Sequence, residues 1–316
     1  MTSTVPNVLL NTGFNMPVVG LGTFNHSFRE DEVYKAVKAA VAMGYRHIDT
    51  AWVYRAETQI GQALREKMDD GTVKRHDLFI TSKLWVIFNK PENVETGCRE
   101  SLHELGLDYL DMFLMHWPTA FQEPADRKTW ITSEFIPADV DYVETWKAME
   151  KLVDIGLTRS IGVSNFSSTQ LERLLQSDIK YSPSNLQIEI NPYLTNCQLL
   201  DLCKQNGIVV TGYAPLAKGG STYVGKQMPK LLEEDILIKI ASKYGKTPAQ
   251  VALRWAIQRK YAIVPKSITP SRIKENFEIF DFELDQSEME EISKLNRNQR
   301  LVTADTFKCH PEYPFH

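Results

Sequence analysis

The sequence predicts an α/β protein built as a (β/α)8 barrel, and three observations carry that prediction. Strand-length apolar runs alternate with helix-periodic stretches from one end of the 316-residue chain to the other. Three of the first runs end in ionisable side chains: Arg46–Thr50 on Asp49, Leu78–Lys83 on Lys83, and Tyr109–His116 on His116. A closed parallel barrel gathers such strand ends at one mouth. Finally, no G-x-G-x-x-G turn occurs, which weakens the alternative of a doubly wound open sheet.

The elements follow in order. Residues 7–17 read as a short hairpin, Val8-Leu9-Leu10 and Met16-Pro17 around Asn11-Thr12-Gly13, placed to plug the barrel bottom. Val18–Leu21 is the first barrel strand, followed by a helix at about 31–43. The Asp49 strand leads to a helix at about 57–69, with Ile60, Ala63, Leu64 and Met68 on one face. The Lys83 strand leads to about 91–106, and the His116 strand to about 141–156. Four more strands are expected at Ser160–Val163, Leu186–Ile190, Ile208–Gly212 and Tyr261–Val264. A long loop at 117–140 and a C-terminal segment at 297–316, both rich in Pro and aromatics, are placed at the active-site face. The whole of 1–316 reads as one barrel domain.

Composition narrows the functional class. Hydrophobic residues make up 43% and charged residues 24%, as in ordinary globular proteins. A net charge of −4 gives no electrostatic case for nucleic acid or an anionic membrane surface. No apolar stretch reaches membrane-spanning length, and Met1-Thr-Ser-Thr-Val does not read as a signal peptide. Cys98, Cys197, Cys203 and Cys309 form no C-x-x-C pair and no zinc-spaced cluster, so no metal is expected. A reducing cytosol is the natural compartment. No interface signal stands out, and a monomer is the expectation.

Tyr54 follows Asp49 by five residues, so the mouth would hold Asp49, Tyr54, Lys83 and His116. Free tyrosine is a poor acid at neutral pH. A neighbouring Lys83 ammonium would lower its pKa, and Asp49 would keep that ammonium charged. His116 would add a hydrogen bond to the same oxygen. Tyr54 is therefore the candidate proton donor to a carbonyl. A glycosidase or metal hydrolase would instead need paired carboxylates or several His at strand ends. His116 is the one strand-end imidazole, and His47, preceding Asp49, is expected to point the other way.

These residues resemble a family. Gly44-Tyr45-Arg46-His47-Ile48-Asp49-Thr50-Ala51, with Tyr54, Glu57 and Gly61, is similar to the signature of the aldo-keto reductases, animal aldose and aldehyde reductase-like branch. Ser82–Trp85, Met115–Pro118, Gly162–Phe166, Gln187–Pro192 and Ile263–Ser267 match further segments, so the resemblance runs from about residue 7 to the C-terminus. It implies a TIM barrel that reduces aldehydes and ketones with a nicotinamide cofactor: Tyr54 the general acid, Lys83 and Asp49 tuning it, His116 orienting the carbonyl. A second class, a non-catalytic barrel recruited for structure or regulation, is opposed by the intact set of four.

Thr269 followed by Pro270 reads as an N-cap and first helical residue, flanked by Lys266, Ser267 and Arg272. Such a helix start is either an ordinary capped helix or a phosphate site. With the resemblance it implies the 2′-phosphate of NADPH rather than NADH, gripped by Arg272. Ser164, Asn165 and Gln187, ending strands, could hold a nicotinamide carboxamide, and by resemblance they do. The resemblance also implies cofactor contacts at Gly22, Thr23, Asp49, Tyr213, Leu216, Glu275 and Asn276. Two departures stand out. Ala56 replaces an Asn common in the family, and Ala217-Lys218-Gly219-Gly220-Ser221 lacks the acidic latch of some animal members, which implies faster cofactor release.

Phe24, Val53, Trp85, Trp117 and Phe121 fall just past strand ends and are expected to wall an apolar pocket with Tyr54 and His116. Phe24 stands where a Trp is common, which widens it. The segment bearing Leu301, Val302, Thr306 and Phe307 departs from the branch's Cys-bearing stretch, and Val302 is the expected contact. Aromatic or aliphatic aldehydes and bulky ketones such as steroids are the expected substrates; free sugars are not.

Overall fold

The computed structural model describes residues 5–24, 31–127, 135–217, 222–223, 226–227 and 230–315. The chain starts with an antiparallel hairpin of β1 (Asn7–Leu9) and β2 (Asn15–Pro17). Leu10 and Met16 pack on Phe79, Met112, Leu114 and Ala262, residues near the N-terminal ends of barrel strands. The turn is tied down as well: Asn11 Nδ2 donates to the Pro183 carbonyl at 3.0 Å, and the Thr12 and Ser160 hydroxyls pair at 2.7 Å. The hairpin thus covers the bottom of the barrel with apolar surface.

Each barrel strand then alternates with a helix. β3 (Gly20–Gly22) leads to α1 (Glu32–Met43), β4 (His47–Asp49) to α2 (Glu57–Asp69), and β5 (Phe79–Leu84) to α3 (Val94–Leu105). β6 (Met112–Met115) leads to α4 (Tyr142–Asp154), β7 (Ile161–Ser164) to α5 (Ser168–Gln176), and β8 (Asn185–Glu189) to α6 (Cys197–Gln205). After β9 (Val209–Tyr213) come the two-residue strands β10 (Thr222–Tyr223) and β11 (Lys226–Gln227), then α7 (Asp235–Tyr244) and α8 (Pro248–Gln258). β12 (Ala262–Ile263), α9 (Pro270–Phe277) and α10 (Gln286–Ser293) complete the order.

The sheet has eight strands in the order β12-β9-β8-β7-β6-β5-β4-β3, every pair parallel. Parallel bridges Val19–Ile263 and Gly22–Lys266 join its two ends and close the barrel. The strands read as continuous apolar runs because helices cover them from outside. Helix starts follow their side chains: Ser167, Thr247 and Asp285 form capping boxes with Gln170, Gln250 and Glu288. Gly61 matters for packing. A Cβ there would lie 2.3 Å from the Leu105 carbonyl oxygen, so α2 meets the end of α3 only through glycine.

Several expectations need adjustment. The fourth barrel strand is Met112–Met115 rather than 109–116, because Asp111 turns to pair with Arg75 and Arg159, both at 2.9 Å. His116 sits one residue past the strand, its N–H still donating to the Leu84 carbonyl at 3.1 Å. The start of the helix expected at 91–106 is a separate 3-10 turn, Pro91–Asn93. Sequence reasoning missed α7 and α10, although the Asp285–Glu288 capping box marks the latter. The glycine-bearing segment 218–221 and residues 128–134 of the long loop lie outside the described residues.

Candidate active site

Four barrel elements converge at the C-terminal mouth. Asp49 ends β4 and Lys83 lies next to last in β5, both buried and inward-facing. Lys83 Nζ donates to Asp49 Oδ1 at 2.6 Å and to the Thr50 carbonyl at 2.8 Å. Asp49 Oδ2 accepts from Gln187 Nε2 at 2.7 Å, so β8 reaches across the barrel to the same carboxylate. Burial lowers the Lys83 pKa, while the Asp49 charge and hydrogen bond act to raise it. An ammonium so desolvated keeps its proton only beside its carboxylate.

Tyr54 ends a 3-10 turn, Trp52–Tyr54, between β4 and α2. Arg55 follows in the left-handed region at φ 53° and stacks its guanidinium on Trp52 at 3.7 Å, which fixes the turn. Lys83 Nζ lies 5.0 Å from the Tyr54 ring centroid. Sequence reasoning expected the ammonium to lower the tyrosine's pKa; the net shift is upward. Burial first, then the Asp49 charge, push the phenol well above 10. The hydroxyl is therefore fully protonated at neutral pH and equipped to donate. Ala56 is buried, presenting a methyl where an amide was expected from the family pattern.

The His116 ring is set edge-on to Tyr54 at 5.8 Å and to Trp85 at 5.2 Å between centroids. Burial and the Lys83 charge push its pKa well below 6.5, so the imidazole is neutral. Its Nδ1 is buried without a hydrogen-bond partner. His47 corrects an expectation. Residues i and i+2 of a strand share a face, so His47 points inward like Asp49, one layer deeper. There it contacts the Pro17 carbonyl through Nδ1 and the Thr81 hydroxyl through Nε2. It is occupied at the barrel floor, below the mouth.

The residues expected at a nicotinamide gather on the other side. Asn165 sits just past β7 in the left-handed region at φ 60°, which Asn tolerates. Its Nδ2 donates to the His116 carbonyl at 2.9 Å and contacts Ser164 Oγ at 3.1 Å, while its Oδ1 accepts from the Tyr213 hydroxyl at 2.7 Å. Thr23 donates twice to the Asp49 carbonyl, and Gly22 donates to the Pro265 carbonyl at 3.1 Å. Leu216 is half-buried beyond β9. Of these, Thr23 and Gln187 bond directly to Asp49, while Ser164 and Tyr213 are tied through Asn165 to the His116 carbonyl.

The start of α9 fits a phosphate. Thr269 is the N-cap and Pro270 the first helical residue, but the Thr269 side chain makes no capping hydrogen bond. The Ser267 hydroxyl accepts from the Thr269 N–H instead, at 3.1 Å. The first-turn N–H groups stay open to solvent-side anions, with exposed Lys266 and Arg272 beside them. Glu275 accepts from the Thr247 hydroxyl at 2.6 Å, and Asn276 is buried behind it. Cationic and hydroxyl donors around an uncapped helix start suit a phosphorylated ribose.

Above Tyr54 lie mostly rings. Phe24 is 45% exposed and packs on Tyr54 at 5.0 Å. Val53, Trp85 and Trp117 are buried around the same opening. Phe307 of the C-terminal segment contacts Trp85 at 5.8 Å, Trp117 at 5.4 Å and Phe121 at 4.8 Å. Phe121 is buried and packs its ring on Phe307, Phe135 and His310. Sequence reasoning missed Glu189, a fully buried carboxylate at the end of β8. Its signal was an acid inside the apolar run Leu186–Ile190. Among the described residues no cluster of His, Cys, Asp or Glu could hold a metal, and no helix is long and apolar enough to cross a membrane.

The profile of the aldo/keto reductase family matches residues 18–297. The chain belongs to the aldo-keto reductase family. Aldo-keto reductase family 1 member C15 of Rattus norvegicus is 44% identical, over 98% of this chain and 97% of that one. Aldo-keto reductase family 1 member A1 of Homo sapiens is 43% identical over the same shares. The solved aldose reductase of Schistosoma japonicum superposes with a TM-score of 0.90 at 43% identity, covering 98% of each chain. These relatives place the chain in the animal aldose and aldehyde reductase branch. It is an NADP(H)-dependent oxidoreductase that acts on small-molecule aldehydes and ketones.

Proposed function

We propose that this aldo-keto reductase reduces apolar aldehydes and bulky ketones with NADPH, and that Tyr54 delivers the proton. The observation that carries the reading is the buried Asp49–Lys83 pair beneath Tyr54, with neutral His116 beside it. NADPH, when bound, supplies the hydride. The chain's own residues manage the oxygen. His116, uncharged, donates a hydrogen bond that orients the carbonyl. Tyr54, kept protonated by burial, gives its proton to the carbonyl oxygen as negative charge develops there. Lys83 stabilises the resulting phenolate, and Asp49 holds Lys83 charged and in place. Gln187, through Asp49, couples that pair to the amide side of the site, where Ser164 and Asn165 would hold a carboxamide. Tyr213, fixed to Asn165, would cover a nicotinamide ring.

Lys266, Ser267, Thr269 and Arg272 would take the 2′-phosphate, with Glu275 and Asn276 at the adenine and Gly22, Thr23 and Leu216 along the cofactor. Phe24, Val53, Trp85, Trp117 and Val302 offer apolar contact and few polar groups, which favours aromatic and aliphatic aldehydes or steroid-sized ketones over free sugars. A panel followed by NADPH absorbance tests the reading: benzaldehyde-type substrates should turn over far more efficiently than glucose. Equal efficiency, or no turnover on any carbonyl, contradicts it. Arg272→Ala should raise the KM for NADPH at least tenfold and leave NADH nearly unchanged; a parallel change in both argues against a phosphate role. The four free thiols suit a reducing cytosol, and we read the protein as a monomer, which light scattering tests.

A further inference from the structure

Beyond its 3-10 turn at Asp305–Phe307, the described part of the C-terminal segment after α10 has no regular structure, yet it supplies Phe307 to the mouth. Something must fix where it crosses. The N–H groups of Arg297 and Gln299 both donate to the Tyr193 carbonyl, at 3.0 and 3.1 Å. Two residues on, the segment meets Glu189. The Leu301 N–H reaches both carboxylate oxygens, at 2.9 and 3.0 Å, and the Val302 N–H reaches Oε2 at 2.9 Å. Asn191 Nδ2 adds a longer contact at 3.3 Å.

Glu189 lies two residues past Gln187 on β8, so it shares the inward face one layer nearer the mouth. Its side chain is fully buried. A buried carboxylate is costly unless charge-assisted bonds satisfy it. Here two consecutive backbone N–H groups do so, and they belong to the substrate-side segment. A loop could be held by apolar packing alone. Instead a rigid barrel strand grips its backbone, leaving the Phe307 side chain to pack on Trp85 and Trp117.

We propose that Glu189 is a positioning residue for substrate specificity: its carboxylate fixes the Leu301–Val302 backbone, and thereby holds the Phe307 ring of the same segment against Trp85 and Trp117. The inference rests on the pocket described under the proposed function. Release of the clamp removes wall contacts that a bulky ketone uses and a small aldehyde does not reach. It leaves Tyr54, His116 and the Asp49–Lys83 pair in place.

The test compares wild type, Glu189→Ala and Glu189→Gln on a steroid-sized ketone and on propanal, with NADPH affinity read by fluorescence quenching. Glu189→Ala should raise KM for the ketone at least tenfold, with kcat, the KM for propanal and NADPH affinity each changing less than threefold. Glu189→Gln, whose single carbonyl oxygen still accepts one N–H, should recover part of that loss. Equal loss on both carbonyls, or no loss on either, overturns the proposal. Inactive wild type on both would instead sink the proposed function. Should the variants fail to fold, amide hydrogen exchange on the wild type decides. The Leu301 and Val302 amides should exchange at least a hundredfold more slowly than an unstructured loop, and loop-like exchange overturns the clamp.

Discussion

Replacing Asp49 with Asn isolates the interaction on which the site is built. Lys83 is 1% exposed and has two acceptors for its ammonium, Asp49 Oδ1 and the Thr50 carbonyl. An Asn side chain has one oxygen for two donors, Lys83 Nζ and Gln187 Nε2, and its NH2 must face one of them. The change strands a buried charge, a loss of about 3–5 kcal/mol in comparable buried pairs. At about 2.1 cal/mol/K of unfolding entropy per residue, that lowers the melting temperature of a chain of 316 residues by about 5–8 °C. The pH dependence has a definite sign. Without the carboxylate, burial depresses the folded Lys83 pKa further below its unfolded value. The folded variant therefore binds fewer protons than its unfolded chain, and its stability rises with pH. Thermal unfolding by circular dichroism should show a large deficit at pH 6 that narrows towards pH 9. Turnover with NADPH at pH 7 should drop about 10²-fold or more, because a neutral lysine no longer stabilises the Tyr54 anion. A variant that melts with wild type at both pH values and keeps its turnover would refute the reasoning.

Two further predictions concern the support around the site. Glu57, at the start of α2, accepts from the Ser82 hydroxyl at 2.6 Å and is 3% exposed; burial pushes its carboxyl up to about 7. Ser82, Ser101 and Lys83 pull the other way, and Glu104 adds to the rise. A carboxyl with a raised folded pKa costs stability as pH climbs from its unfolded value to its folded one. The cost from about pH 4.5 to about 7 is roughly 3 kcal/mol. Glu57→Gln should therefore match wild type near pH 5 and exceed it at pH 8 in denaturant midpoint; parallel pH profiles contradict this. Gly61→Ala should destabilise by about 1–3 kcal/mol, since the added Cβ would press on the Leu105 carbonyl and overwhelm alanine's better helix propensity. An unchanged or raised urea midpoint would show that α2 and α3 separate freely.

Much of this site was legible in the sequence because a parallel strand is short and ends abruptly. Asp49, Lys83 and His116 each close an apolar run, and a barrel turns such ends into neighbours. The hairpin plug was legible for a similar reason, since Leu10 and Met16 are apolar outside any barrel strand. What failed to show in the letters depends on competition between forces at close range. The proton affinity of Tyr54 turned on how deeply the phenol is buried and on the Asp49 charge beside it, and no spacing rule states either. The packing of Phe121 on Phe307 joins segments nearly two hundred residues apart. Glu189 looked like one acid in a strand. Its partners are backbone N–H groups at Leu301 and Val302, which any residue would supply, so no side-chain pattern announces them.

The proton donor is the centre of the account, and Tyr54→Phe examines it with the loss of one oxygen atom. Single-turnover oxidation of NADPH on an aromatic aldehyde should slow by about 10²–10⁴-fold, with NADPH affinity by fluorescence within twofold of wild type. Turnover at the wild-type rate in that variant would place the proton source elsewhere and contradict the account.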